Sequence, residues 1–250
     1  MKSSGRSALM AGAILSLVFC LPTPVAAQKA EGAAAVVHEA AALAARAAAL
    51  QQAGKYSEAI PLAQQVLAIR EKQLGPNHPD VAELLAKLGR LYLQQGRNVD
   101  AESVLRRARA IFEQTRGHYQ PEQLAFVLKH LGEVYLRRGH FDDAASLFRR
   151  ALAIREKEFG PVHELVAYTL NGLASLYTDQ SRLADAEALY RRALTIEEKT
   201  FGPDHPEVAH TLNSLAKLYI NEGRFADAEA LYQRWRSTRK RSVPTIRRSQ

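Results

Sequence analysis

Glycine falls at a fixed spacing in this chain. Gly54, Gly96, Gly139, Ser181 and Gly223 stand 42, 43, 42 and 42 residues apart, with serine taking one glycine's turn. A second series is Gly75-Pro-Asn-His-Pro79, Gly117-His-Tyr-Gln-Pro121, Gly160-Pro-Val-His-Glu164 and Gly202-Pro-Asp-His-Pro206, its glycines 42, 43 and 42 apart. The two series interleave at 21 residues, with one extra residue between Gly117 and Gly139. Aligning Pro121 with Pro79 puts that insertion in the short run after Pro121. A period of this length marks a repeat array, in which one small unit stacks on the next.

The residues between these marks are patterned for helices. Over 81–94, Leu84, Leu85, Leu88, Leu91 and Tyr92 fall at steps of one, three and four, an apolar stripe on a helix. After Gly96 the same spacing returns in Ala101, Val104, Leu105, Ala108, Ile111 and Phe112. Pro79 suits a first helical turn, where its missing N–H costs nothing. Gly96 suits the left-handed residue that ends a helix. Each unit is therefore expected to be a pair of antiparallel helices. One such hairpin cannot bury its stripes alone, and stacking makes a solenoid. Gly89, Gly132, Ala174 and Ala216 recur in the first helix, and Ala59, Ala101, Ala144, Ala186 and Ala228 in the second. These small residues let the helices approach closely, and a large side chain there would cost about 1–3 kcal/mol. Tyr92, Tyr135, Tyr177 and Tyr219 form a recurring aromatic, expected in the core with the hydroxyl reaching an edge.

Composition agrees with a folded protein. Of 250 residues 47% are hydrophobic and 24% charged. The single cysteine rules out a disulfide framework and a Cys-rich zinc site.

The N-terminus reads as a cleavable signal peptide over 1–27. Lys2 and Arg6 precede an apolar run from Ala8 to Leu21, then Pro-Thr-Pro and Val25-Ala26-Ala27, with small residues at −3 and −1 of a cut after Ala27. The alternative is a retained anchor, but the run is short for a span of about 20 residues. Phe19 before Cys20 argues against lipidation. The form of the signal is bacterial, so the expected location is the periplasm, with full secretion as the alternative.

Formal net charge is +8, but the basicity is local. Seven basic residues and no acid lie in 234–250, whereas 28–233 carry 25 basic and 26 acidic groups. Residues 236–250 are expected to be a solvated, irregular tail. A sharper reading uses Arg236, Arg239, Lys240, Arg241, Arg247 and Arg248 against an anionic envelope surface. Export argues against nucleic acid as the partner.

Leu88-Gly89-x-x-Tyr92 followed by Ala101, Leu105 and Ala108 resembles the tetratricopeptide repeat. Leu131-Gly132-x-x-Tyr135, Leu173-Ala174-x-x-Tyr177 and Leu215-Ala216-x-x-Tyr219 repeat it. The period, the Gly-Pro-x-His-Pro junction and Thr-Leu-Asn-x-Leu-Ala resemble the longer variant of kinesin light chains. The resemblance implies an all-α, right-handed superhelical solenoid over 28–235. About five antiparallel helix hairpins are expected, near 34–75, 79–117, 121–160, 164–202 and 206–235. Unit one is degraded and Ala-rich, which suits a cap. Unit five departs at Trp235, which replaces the small Ala108, Ala151 and Ala193.

No chemistry of turnover is legible. There is no Gly-rich phosphate loop, nucleophile elbow or H-E-x-x-H. Glu197-Glu198 reads as solvated surface. His78, His163 and His205 occupy matching places in separate repeats. Neighbouring helices pack about 8–10 Å apart, too far for these residues to share a metal with ligands at about 2 Å. They read as hydrogen bonds at the junctions. The expected protein is not an enzyme and needs no cofactor or metal.

The resemblance places a partner groove on the first helices. Counting from Ala82, Ala125, Ala167 and Ala209, positions 2, 5, 9 and 12 share one face. They give Glu83, Ala86, Arg90 and Leu93; Phe126, Lys129, Glu133 and Leu136; Tyr168, Asn171, Ser175 and Thr178; His210, Asn213, Lys217 and Ile220. Asn171 and Asn213 are expected to hold the backbone of an extended peptide, because an amide donates and accepts at once. Lys129, Arg90 and Lys217 would favour an acidic ligand, although Glu83 and Glu133 interrupt the field. The function expected is an exported adaptor that binds a peptide or protein in the concave groove. The alternative is an envelope tether acting through the tail.

Overall fold

The computed structural model describes residues 24–242 apart from Arg116 and His118. Most of the signal segment, together with Arg247 and Arg248, lies outside the described residues. Ten helices and no strand occur among the described residues: α1 (Pro24–Gln52), α2 (Tyr56–Leu74), α3 (Pro79–Gln94), α4 (Asn98–Gln114), α5 (Pro121–Arg137), α6 (Phe141–Phe159), α7 (Glu164–Asp179), α8 (Leu183–Phe201), α9 (Pro206–Asn221) and α10 (Phe225–Ser242). By internal contacts the chain divides into Met1–Glu39 and Ala40–Gln250. The described part of the first unit is helical, the opening of α1, and the repeats belong to the second. Helix α1 starts well before the expected boundary at residue 34, and the expected cut after Ala27 falls in its first turn.

Within the second unit the hairpins are α3 with α4, α5 with α6, α7 with α8 and α9 with α10. Each second helix also packs on the first helix of the next hairpin. The small residues explain the closeness. Phe148 on α6 is fully buried between Gly132 on α5 and Gly172 on α7. A Cβ would lie 3.1 Å from its ring at Gly132 and 2.8 Å at Gly172. Leu105 holds the same place on α4, where a Cβ on Gly89 would come within 2.5 Å. Phe148 to Ala would leave a cavity costing about 3–5 kcal/mol.

Two side-chain ladders tie hairpin to hairpin. Arg107, Arg150 and Arg192 reach Glu71, Glu113 and Glu156 on the preceding second helix at 2.5, 2.6 and 2.6 Å. Arg234 pairs with Glu198 in the same way. Each bridge is partly exposed and contributes no more than about 1 kcal/mol, but the series fixes register. The recurring tyrosine supplies the second ladder. The hydroxyls of Tyr92, Tyr177 and Tyr219 each accept a 2.8 Å bond, from Gln64, Arg149 and Arg191. The guanidinium groups of Arg97, Arg182 and Arg224 cover their rings at 4.5, 4.1 and 3.8 Å.

The junction histidines cap helices. Nδ1 of His78, His163 and His205 accepts the backbone N–H of Asp80, Leu165 and Glu207 at 3.1, 3.2 and 3.3 Å. This satisfies one of the orphan donors at each helix start. Phe159 and Phe201 stack on His163 and His205 at 4.5 and 4.3 Å.

The C-terminal expectation needs correction. Helix α10 runs to Ser242, so Arg236, Arg239, Lys240 and Arg241 sit on a helix rather than an irregular tail. Tyr232 and Trp235 are half-buried on this helix. Their rings meet at 6.2 Å, and Trp235 packs against Leu194, Val208 and Leu212.

Ser181 is the one described non-glycine residue at positive φ, 57°, where the four equivalent positions hold glycine. An L side chain in that conformation costs about 1–2 kcal/mol. Replacing it, Ser181→Gly, is expected to raise unfolding stability by about 1 kcal/mol in urea titration. No gain would mean that the turn after α7 carries no strain.

Candidate functional site

Three consecutive first helices, α5, α7 and α9, share an open cleft of about 500 Å3. Helix α5 contributes Lys129, Glu133 and Arg137, α7 contributes Tyr168, Asn171, Ser175 and Asp179, and α9 contributes Glu207, His210 and Ser214. Tyr190 reaches it from α8. A smaller apolar hollow of about 160 Å3 lies between α3 and α5, formed in part by Ala86, Phe112 and Phe126.

Five of the eight expected groove residues meet in the cleft: Lys129, Glu133, Tyr168, Asn171 and His210. Arg90, Asn213 and Lys217 do not line it. The Arg90 guanidinium lies 5.8 Å over the Phe126 ring, Lys217 is exposed on α9, and Asn213 is half-buried. On α9 His210 lines the cleft as expected, but Glu207 and Ser214 accompany it in place of Asn213 and Lys217. Ala86 and Leu93 are buried core, at 2% and 3% exposure, not groove surface.

Lys129 is the sharpest departure. Only 2% exposed, its ammonium bonds Glu133 Oε1 at 2.6 Å and sits 3.4 Å from the Tyr168 ring centre. Its charge is consumed within the protein and does not present itself to an acidic ligand. Beside it His130 is buried, with Nδ1–H donating to the Phe126 carbonyl at 2.8 Å. Burial and the neighbouring Lys129 push its pKa down to about 3, against an opposing pull from Glu133. His130 is therefore neutral. Burial pushes the Glu133 carboxyl up, but the charge and hydrogen bond of Lys129, with the charge of Arg137, hold it below the usual range.

Asn171 is tied into the protein. Its Nδ2 donates to Glu197 Oε1 and to Thr211 Oγ1, both at 2.8 Å. Its Oδ1 is buried without a partner, as is Glu197 Oε2. Glu197 is thus a correction as well: it is 3% exposed, on the inward face of α8, and only Glu198 is at the surface, paired with Arg234. The signal was present in the repeat. Phe112, Arg155 and Glu197 are equivalent positions, and Phe112 belongs to the apolar stripe. A charge at that position is buried. Arg155 is fully buried and fully engaged, by the Glu122 carboxylate at 2.6 and 2.9 Å, Thr169 Oγ1 at 2.7 Å and the Leu165 carbonyl at 3.2 Å.

Glu197 has no such cation. Burial raises its pKa to about 7, with Glu207 and Glu198 adding to the rise and hydrogen bonds from Thr211 and Asn171 opposing it. A folded pKa above the usual 4.5 means stability that is present below pH 4.5 and lost as pH rises through 7. Glu197→Gln keeps the shape without the charge and supplies an N–H to an acceptor-rich place. Its melting temperature is expected to exceed that of the parent by about 4 °C at pH 8 and to match it at pH 5. An equal difference at both pH values would sink the assignment.

Among the described residues no three His, Cys, Asp or Glu side chains are gathered as a metal site would need. No helix of the described residues is long and apolar enough to cross a membrane. No curated protein matches the chain. Similar solved structures include the nearly identical TPR-like repeats of a candidate kinesin light chain from Podosopora anserina, 25% identical, TM-score 0.63, covering 80% of this chain and 94% of that one. BtubC (BKLC) from P. vanneervenii is 24% identical with TM-score 0.65, covering 92% and 97%. The Rap conjugation gene regulator of plasmid pLS20, determined in complex with the Phr* peptide, is 16% identical with TM-score 0.71, covering 92% of this chain and 59% of that one. The tetratricopeptide repeat family model matches residues 38–114, 99–157, 123–199 and 165–240. With those matches overlapping across every described hairpin, the chain belongs to the tetratricopeptide repeat family.

Proposed function

We propose that this protein is a non-catalytic adaptor, exported from the cytoplasm, that holds an extended segment of a partner protein along α7. The observation that carries the reading is the open cleft shared by three first helices, lined by polar and apolar surface together. Along α7 it runs from Tyr168 to Asp179, about 16 Å at 1.5 Å per residue. That length accommodates about five extended residues at 3.3 Å each. Main-chain amides of such a segment find Ser175, Ser214 and His210 as partners on its walls. The Asn171 amide acts mainly from below, by fixing α7 to α8 and α9. The hollow over Phe112 and Phe126 adds a place for one apolar side chain. The family fold alone does not choose a partner.

Filling the cleft tests this directly. Ser175→Trp, at a half-buried wall position, is expected to weaken capture of envelope proteins at least ten-fold while leaving the helical circular dichroism signal intact. Lys199→Ala, on the exposed side of α8, is expected to capture as the parent does. If the Trp variant captured the same proteins equally well, the cleft would not be the binding surface. Export is tested separately: the protein recovered from the periplasmic fraction is expected to have a mass that begins at Gln28. A mass beginning at Met1 would remove the signal reading.

A further inference from the structure

The last hairpin ends on a joint face. Inside the array each second helix offers an aromatic or aliphatic side chain to the first helix that follows: Phe148 meets Gly172, and Tyr190 lies beside Ser214. Tyr232 is next in that series, but among the described residues no first helix follows α10. The face holds a groove of about 530 Å3, formed in part by Ile220, Phe225, Ala228, Glu229, Tyr232 and Gln233. Phe225 is 68% exposed and Ile220 42%, whereas Phe141, Leu183 and Leu136, at the same places in earlier units, pack into the core. The end of a repeat array is normally closed by a polar face, and this one is not. The polar part of the joint is present too. Glu187 on α8 takes the Arg224 guanidinium of the following turn at 2.8 Å, and Glu229 is its equivalent on α10, exposed.

The chain itself contains a helix that fits. The place that receives the seam residue is Ala45 on α1, Lys87 on α3, His130 on α5, Gly172 on α7 and Ser214 on α9. Gly172 and Ser214 already hold Phe148 and Tyr190, and Lys87 and His130 are bulky. Ala45 is small and exposed, and so are Ala41, Ala42, Ala48 and Ala49, one turn away on either side. The turn after α1 is formed as in the other units, with the Lys55 N–H on the Leu50 carbonyl at 2.8 Å, like Arg224 on Tyr219. Lys55 thereby holds the place of Arg224 and is exposed. We propose that this protein associates head to tail with a second copy of itself, α10 seating on α1 of the next copy, Tyr232 on the partner's Ala45 and Glu229 on the partner's Lys55. The contact continues the joint between α8 and α9 in shape and in charge. Such an interface is heterologous, and closes a ring or runs on as a fibre. Leu50 stands where the other first helices have tyrosine, so Gln233 gains no hydroxyl partner as Arg149 and Arg191 do, and the joint is weaker than those inside the chain. None of these residues lines the cleft along α7.

The test is sedimentation velocity of the purified protein over a wide range of concentration. The mass is expected to rise with concentration and to pass that of a dimer. Ala45→Glu fills the receiving place at an exposed helical position, and should weaken association about ten-fold with the helical circular dichroism signal unchanged. Glu229→Lys and Lys55→Glu should each weaken it about five-fold, and the two reversals in one chain should restore it, because the pair attracts again. A monomer at every concentration would overturn the proposal. Association that ignored Ala45→Glu but was lost in Glu229→Lys would overturn α1 as the occupant of the face. Single reversals that weakened association without recovery in the double variant would overturn the pairing of Glu229 with the partner's Lys55.

Discussion

Everything in this protein depends on how closely a second helix approaches the first helices on either side of it. Phe148 is the clearest case. Its ring fills the space left by Gly132 in its own hairpin and by Gly172 in the next. The same residue therefore closes a unit and joins it to its neighbour, and the second of these contacts does not exist in an isolated hairpin. Once the second helices are seated, the first helices are brought side by side as a consequence. The cleft between α5, α7 and α9 is the space their side chains leave. Its rigidity is borrowed from the seam beneath it.

The buried polar residues show how one scaffold position takes different chemistry. Arg155 and Glu197 occupy equivalent places on α6 and α8. Arg155 is met by a carboxylate, a hydroxyl and a carbonyl, so its charge is compensated by strong, directed bonds. Glu197 is met by one amide and one hydroxyl, with another carboxylate nearby, so its proton is held more tightly. The difference lies in the helices around them. Glu122 opens α5 and faces Arg155, whereas nothing basic among the described residues faces Glu197.

The fold was legible because it depends on spacing. Gly96, Pro79 and the stripe of Leu85, Leu88 and Tyr92 state the hairpin in one dimension, and repetition removes ambiguity. The capping role of His78, His163 and His205 followed from their place before a helix. The site was legible only in part. Tyr168 and His210 lie where their helical position puts them. Lys129 has an equally good position, but an adjacent turn supplies Glu133, and the next hairpin lays Tyr168 over its ammonium. That closure comes from a neighbouring unit, which a helical count along α5 does not contain. Glu197 was misread for the opposite reason. Beside Glu198 it looks like a charged face, and only its equivalence to Phe112 reveals the inward side. The tail was misread because a run of basic charge reads as irregular, whereas helix α10, anchored in part by Trp235, continues through it to Ser242.

Chains built from near-copies face a particular hazard: a unit can stack on the wrong neighbour. The seam residues Leu105, Phe148 and Tyr190 differ in bulk and polarity, and so do the corresponding places on the following first helices, His130, Gly172 and Ser214. Phe148 has room only where a Cβ is missing. Laid against α9 instead of α7 it would meet the Cβ of Ser214. Tyr190, whose buried phenol lies near the hydroxyls of Thr178, Ser175 and Ser214, would lose one of these polar neighbours if α9 were exchanged for another helix. The order of the units is thus written as a key at each joint. A duplication or loss of a single internal unit would be tolerated only if the residues on both sides changed with it.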